Sequence, residues 1–76
     1  MTMVIAKSRS KLLQQLIELQ KNLGLSDIKF ARKLGITQPM WTFTKQGKRN
    51  IGLSILIGIT RNFPELKNEV WEFLRE

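Results

Sequence analysis

The fold is decided by residues 26–49, which read SDIKFARKLGITQPMWTFTKQGKR. On either side of Gly35, apolar residues recur at three- and four-residue spacing, which places them on one face of a helix. Glycine takes a tight turn between two helices without the steric penalty of a Cβ atom. The stretch therefore predicts two helices, at 27–34 and 38–46, joined by a short turn. The residues expected to face inward are Phe30, Ala31, Leu34, Trp41 and Thr44.

Pro39 leaves the start of the second of these helices open between two caps. Thr37 can cap it by accepting a hydrogen bond from the Met40 amide, because Pro39 has no amide hydrogen to donate. Alternatively Gln38 is itself the cap, since a residue before proline is disfavoured in helical geometry. If Gln38 is the cap, its side chain points in a different direction from that of a residue inside the helix.

The remaining helices are predicted at residues 10–23, 53–62 and 64–75. In the first, a leucine stripe ends at Gly24, a residue that favours the left-handed position after a helix. Pro64 suits the first position of the last helix. The stripe of the first helix is Leu12, Leu16, Leu19 and Leu23, flanked by Leu13 and Ile17. For the fourth we expect Leu53, Leu56, Ile57 and either Ile59 or Thr60 inward, and for the fifth Leu66, Val70, Phe73 and Leu74.

Residues 1–9 are predicted as a flexible basic arm, which is either a frayed terminus or a segment that lies against phosphates. The whole chain, residues 1–76, is then one all-α domain of five helices. A domain of 76 residues buries a modest core, and with no cysteine it has no disulfide to add stability. Dimerisation is an expected supplement.

Composition argues against several classes of function. The chain has no Cys, His or Tyr, so it lacks the commonest metal ligands and general bases. The six acidic residues are scattered rather than paired. We therefore expect no enzyme activity, no metal, no cofactor and no small-molecule ligand. No apolar run has the length of a membrane span or a signal peptide, so we expect a cytoplasmic protein that does not bind membranes.

The net charge of +7 is unevenly distributed along the chain. Residues 1–62 contain eleven Lys and Arg against two acids, whereas residues 63–76 contain two against four. A basic body of this kind is typical of proteins that bind nucleic acid, although a solvated surface gives the same counts.

Several spaced residues resemble the lambda-repressor-like family of DNA-binding proteins, also called the xenobiotic-response-element family. They are Gly24-Leu25-Ser26, Phe30-Ala31, Leu34-Gly35-Ile36-Thr37 and Gly47-Lys48-Arg49-Asn50. The resemblance covers roughly residues 11–63. It implies a five-helix domain whose helix-turn-helix lies at 27–46, and a small regulator that binds double-stranded DNA with the helix 38–46 in the major groove.

The resemblance also implies two sets of contact residues. The outward face of the recognition helix is expected to touch base edges, and the surrounding residues are expected to hold phosphates. For Lys48 and Arg49 the alternative is a solvated turn. The expected base contacts are Gln38, Pro39, Thr42, Phe43 and Gln46, and the expected phosphate contacts are Thr37, Lys45, Lys48, Arg49 and Asn50.

Some positions depart from the family pattern. Asp27 stands where the family usually has Gln; a carboxylate suits a helix N-terminus but repels phosphate. Trp41 is larger, and Thr44 smaller, than the usual residues, so the two changes can compensate in volume. Gln20 and Lys45 replace an Arg–Glu ion pair of the family, which is expected to leave Lys45 free to add positive charge near DNA.

Trp71 lies at the edge of the apolar stripe of the last helix and has two interpretations. It is either a lid over the core or an aromatic anchor in a homodimer. The last helix is less basic than the body of the chain, so two copies repel each other least there. The expected dimer contacts are Trp71, Val70 and Leu74.

Two functions compete at this level. The first is sequence-specific DNA binding by a small transcriptional regulator, favoured by the basic residues. The second is a protein-interaction module on the same fold, such as an antitoxin-like or phage-regulator partner. Asp27, Pro39 and an outward Phe43 favour the second.

Overall fold

The computed structural model describes the backbone of residues 7–75 and the side chains of residues 11–75. Within that part of the chain every regular element is helical, which confirms the all-α class. A short 3₁₀ turn, Pro64–Leu66, leads into the last helix. The helices are α1 Lys7–Leu23, α2 Asp27–Leu34, α3 Gln38–Lys45, α4 Leu53–Asn62 and α5 Lys67–Leu74.

The first and last helices begin at residues other than those predicted. The backbone is already helical from Lys7, so residues 7–9 belong to α1 and not to an arm. The stretch Lys7–Leu23 contains no Gly or Pro, and Lys and Arg are favourable helix formers. Residues 1–6 of the predicted arm lie outside the described residues. The predicted helix 64–75 begins as a single 3₁₀ turn and becomes α-helical only from Lys67.

The core is centred on α2 and α3. The predicted inward faces of both helices are confirmed, since all five residues expected there are at most 1% exposed. The ring centroids of Phe30 and Trp41 are 4.9 Å apart in a tilted arrangement. Phe63 adds a third ring, 6.0 Å from Phe30. Leu12 and Leu16 of α1 belong to the same hydrophobic core.

The face of α4 differs in part from the one predicted: Leu56 and Ile59 are buried, as expected, but the other predicted residues are not. Leu53 is 72% exposed and Ile57 44% exposed, and Thr60 is exposed as well. The reason lies at Gly58, where α4 crosses the end of α2. A Cβ atom at position 58 would overlap the carbonyl oxygen of Leu34 and lie 2.9 Å from its carbonyl carbon. The residues buried on α4 are Ile55, Leu56, Gly58 and Ile59.

The last helix packs against α1 and α4 with a narrow face. Leu66 and Val70 are buried and Phe73 is partly buried, as predicted. Leu74 is exposed, contrary to prediction, and Trp71 is 58% exposed, so the interpretation of Trp71 as a core lid is wrong. An ion pair of 3.7 Å between Lys11 and Glu72 joins α5 to α1 at the surface.

The helices between residues 7 and 75 include none that is both long enough and apolar enough to cross a membrane.

Candidate nucleic-acid interface

The turn between α2 and α3 is held by its own hydrogen bonds. Gly35 has φ 76°, and its amide hydrogen is directed at carbonyl oxygens of the last turn of α2. Ile36 N donates to Ala31 O over 3.0 Å. Thr37 is the N-cap of α3, with its Oγ1 3.4 Å from the amide nitrogen of Met40. The open choice of cap is therefore settled for Thr37, and Gln38 is the first helical residue.

The outward face of α3 carries the residues predicted to touch bases. Gln38, Pro39, Phe43 and Gln46 are exposed, and Thr42 is half-buried. Gln38 Nε2 donates a hydrogen bond of 2.8 Å to Thr42 Oγ1, one helical turn further on. Gln46 lies just beyond the helix, as its C-cap. The five side chains share one continuous surface, and none of them is acidic.

The loop after α3 presents basic side chains beside that face. Gly47 has φ 80°, which lets the chain reverse, and Lys48 N donates to Phe43 O over 2.9 Å. Lys48, Arg49 and Asn50 are all exposed. The predicted phosphate residue Thr37 is exposed at the opposite end of α3. On the neighbouring helix α2, three more cations are exposed: Lys29, Arg32 and Lys33.

Gln20 joins α1, α2 and α3 beneath this surface. It is 7% exposed. Its Oε1 accepts from Trp41 Nε1 over 3.1 Å and from Lys45 Nζ over 3.3 Å. Its Nε2 donates to Leu25 O over 3.1 Å and to Asp27 Oδ1 over 2.7 Å. A flipped amide would set donors against donors, so its orientation is fixed.

Asp27 receives hydrogen bonds on both carboxylate oxygens. Lys45 Nζ lies 2.6 Å from Oδ1, the atom that also accepts from Gln20. Thr42 Oγ1 donates to Oδ2 over 3.0 Å. The hydrogen bonds from Lys45 and then Gln20 lower the pKa of Asp27 to about 2, against an opposing effect of burial.

Two predictions about charge change as a result. Lys45 is not free, because its ammonium group is paired with Asp27. Asp27 is not an isolated carboxylate that repels phosphate, because Lys45 neutralises it. The ion pair between α2 and α3 lies next to the uncharged Gln20. This pair was not predicted from the sequence. A signal for Gln20 existed: it continues the four-residue spacing of Leu12 and Leu16, where a buried residue is due. The Asp27–Lys45 pair has no local signal, since 18 residues separate its members.

The predicted dimer contacts divide into two groups. Val70 is 5% exposed and packs in the core, so it is not available to a partner; it continues the inward face of α5 from Leu66. Trp71 and Leu74 are exposed and three residues apart on one side of the same helix.

No protein-family model, curated protein or solved structure matches this chain. Its function is therefore inferred from the geometry and charge of α2, α3 and the loop that follows.

Proposed function

We propose that the protein is a small transcriptional regulator that binds double-stranded DNA sequence-specifically. In this proposal α2 and α3 form a helix-turn-helix of the lambda-repressor-like kind, and α3 lies in the major groove. The observation that carries it is the exposed, acid-free face of α3 beside a loop with two exposed cations, Lys48 and Arg49. A helix fits the major groove, where each base pair shows a distinct pattern of donors and acceptors.

The side chains on that face suit base recognition. Gln38 carries both an acceptor and donors, the combination that pairs with adenine. Thr42 gives its hydroxyl hydrogen to Asp27, so what it offers a base is its methyl group, which can contact thymine. Phe43, which is 46% exposed, offers an apolar surface to thymine methyl groups. Pro39 and Gln46 lie at the two ends of the face.

The electrostatic setting supports contact with phosphates. Between residues 26 and 50 the chain has six Lys and Arg and a single acid, Asp27. That acid is paired with Lys45, so the two charges cancel and the other five Lys and Arg give residues 26–50 a net positive charge. Lys48, Arg49, Asn50 and Thr37 flank α3 and would set its register without reading sequence.

A homodimer completes the proposal. Two copies would place two α3 helices one turn of DNA apart, and so read a site with two-fold symmetry. Trp71 and Leu74 are the residues we assign to the contact, because they are large, apolar and exposed on α5.

A protein-interaction module remains the second candidate. It is favoured by exposed apolar side chains on the α2–α3 unit itself, Ile28 at 53% and Phe43 at 46%. A partner protein would cover such residues, whereas DNA would cover Phe43 better than Ile28.

The test is selection of bound duplexes from a random pool, followed by salt titration on the selected site. If six or more phosphates are contacted, affinity should fall by roughly 10³-fold or more between 50 and 200 mM salt. Absence of duplex binding at low salt, or a flat salt response, would contradict DNA binding and favour the interaction module.

Substitutions separate the two kinds of contact. Lys48→Ala and Arg49→Ala should weaken all duplexes alike, whereas Gln38→Ala and Thr42→Ala should change the preferred sequence. Lys67→Ala is the matched control, because it removes an exposed positive charge from α5. A loss with Lys67→Ala equal to that with Lys48→Ala would show that net charge alone drives binding.

A further inference from the structure

A chain of hydrogen bonds runs from the buried Gln20 to the exposed Gln38. It passes from Gln20 to Asp27, from Asp27 to Thr42 and from Thr42 to Gln38, over 2.7, 3.0 and 2.8 Å. It therefore connects the junction of α1, α2 and α3 to the residue at the start of the candidate recognition helix.

Each link in this chain has only one possible direction. An ionised carboxylate accepts hydrogen bonds and donates none. Thr42 must therefore donate its single hydroxyl hydrogen to Asp27 Oδ2. The Thr42 oxygen can then only accept, so Gln38 must turn its amino group, not its carbonyl, toward it.

The carboxylate that starts this sequence is itself held in place. Its Oδ1 accepts from Gln20 Nε2 and from Lys45 Nζ, which leaves Oδ2 toward Thr42. Gln20 cannot reverse, because its own oxygen accepts from Trp41 and Lys45. The orientation of an exposed amide is thus determined by groups beneath the surface.

We propose that Asp27 is a positioning residue that fixes the Gln38 amide and thereby selects adenine over guanine at one base. The inference rests on the proposed DNA binding. With one amide hydrogen given to Thr42, Gln38 has its Oε1 and one N–H left for a base. Adenine presents one donor and one acceptor in the major groove and matches this pair. Guanine presents two acceptors, which would require both amide hydrogens.

Asp27→Asn tests this directly, because it replaces the acceptor that fixes the Thr42 hydroxyl with a donor. Gln20 and Lys45 hold the oxygen at the Oδ1 position, so the new Nδ2 takes the place of Oδ2 and donates to Thr42. The Thr42 hydroxyl hydrogen is then free to donate to Gln38 Oε1, so the Gln38 amide is no longer fixed and can reverse. Both of its hydrogens then become available to guanine.

The experiment compares bound sequences selected from a random duplex pool by three proteins. In the unaltered protein one position should prefer adenine. In Asp27→Asn the adenine-to-guanine ratio at that position should fall by about tenfold or more, the range of a good bidentate contact. Glu18→Gln is the matched control, since it changes an exposed acid on α1 to its amide and alters net charge equally. It should keep the adenine preference.

A second measurement needs no DNA and applies equally if Asp27→Asn is less stable. In the free protein, nuclear magnetic resonance should show one Gln38 side-chain amide hydrogen protected from exchange, and Asp27→Asn and Thr42→Val should remove that protection. Thr42→Ser, which retains the hydroxyl group, should keep the protection of the Gln38 amide hydrogen.

The outcomes separate the two claims. Duplex binding with an unchanged adenine preference in Asp27→Asn overturns the positioning role and leaves the proposed function standing. Absence of duplex binding by the unaltered protein overturns both. Equal exchange of the Gln38 amide hydrogens in the unaltered protein and in Thr42→Val also overturns the positioning role.

Discussion

The two halves of the molecule hold their helices by different means. In the α2–α3 half, a buried amide and an ion pair cross-link three helices around Trp41. In the α4–α5 half, the helices meet mainly through apolar side chains, and α4 crosses the end of α2 in one close backbone approach at Gly58. The first half has its polar groups satisfied beneath its surface. Both halves expose large apolar residues, Ile28 and Phe43 in the first and Leu53, Ile57 and Trp71 in the second.

The difference shows how each half obtains its orientation. Hydrogen bonds are directional, so the α2–α3 network permits one relative position of its helices. Apolar packing is not directional, and α4 is positioned instead by the absence of a side chain at Gly58. Substitutions in the two halves should therefore fail in different ways.

The largest effect is expected for Gly58→Ala, which adds a side chain where α4 crosses the end of α2. The new methyl group would overlap the Leu34 carbonyl, and backbone on both sides leaves little room to relax. We expect a loss of about 3 kcal/mol of unfolding free energy, although alanine has the better helix propensity. Chemical denaturation measures it. Gly52→Ala is the control, because nothing lies within 4 Å of its added Cβ, and it should cost less than about 1 kcal/mol. Equal losses would contradict the close approach.

Acid should weaken the cross-linked half. Because the folded-state pKa of Asp27 is lowered from 3.8 to about 2, its contribution is complete above the unfolded value and disappears as pH falls through the folded one. It amounts to about 2 kcal/mol near neutral pH and is lost between about pH 5 and pH 2. The stability difference between the unaltered protein and Asp27→Asn should shrink by that amount over this window. A difference that stays constant with pH would contradict the ion pair.

Gln20→Leu should remove the junction itself. Leucine fills a similar volume but leaves the Trp41 Nε1–H, which is fully buried, without its acceptor. We expect a loss of about 1 to 2 kcal/mol in denaturant unfolding. Gln14→Leu is the matched control on the same helix, because Gln14 is exposed, and it should change stability by less than about 0.5 kcal/mol. A Gln20→Leu protein as stable as the original would mean that the apolar gain offsets the lost hydrogen bonds.

The same contrast explains how far the sequence could predict the fold. On α2 and α3 the inward residues alternate with charged and polar ones, so helical periodicity identifies Phe30, Leu34 and Trp41 correctly. On α4 the run from Leu53 to Ile59 is almost wholly apolar, and any face of it satisfies the pattern. Gly58 determines which face of α4 is buried, but from the sequence a glycine indicates only a low helix propensity.

The candidate site was predictable to a similar degree. The exposed face of α3 follows from the position of Trp41 and Thr44, because a helix with two inward residues has a defined outer side. The pairing of Asp27 with Lys45 does not follow, since it depends on how two helices meet across a turn. Local sequence patterns therefore identified the exposed face of α3 but not the Asp27–Lys45 ion pair beneath it.

The smallest effect on the folded chain is expected at the exposed end of the apolar half. Trp71→Ala removes a side chain that is 58% exposed, so the unfolding free energy of the monomer should change by less than about 0.5 kcal/mol. If two copies associate through α5, the same change should still shift sedimentation from dimer toward monomer, because aromatic anchors carry a large share of an interface's energy. Val70→Ala is the contrasting variant: Val70 is buried, so it should destabilise the fold while leaving the interface residues in place. An unchanged sedimentation mass for Trp71→Ala would show that Trp71 does not hold the dimer together through α5.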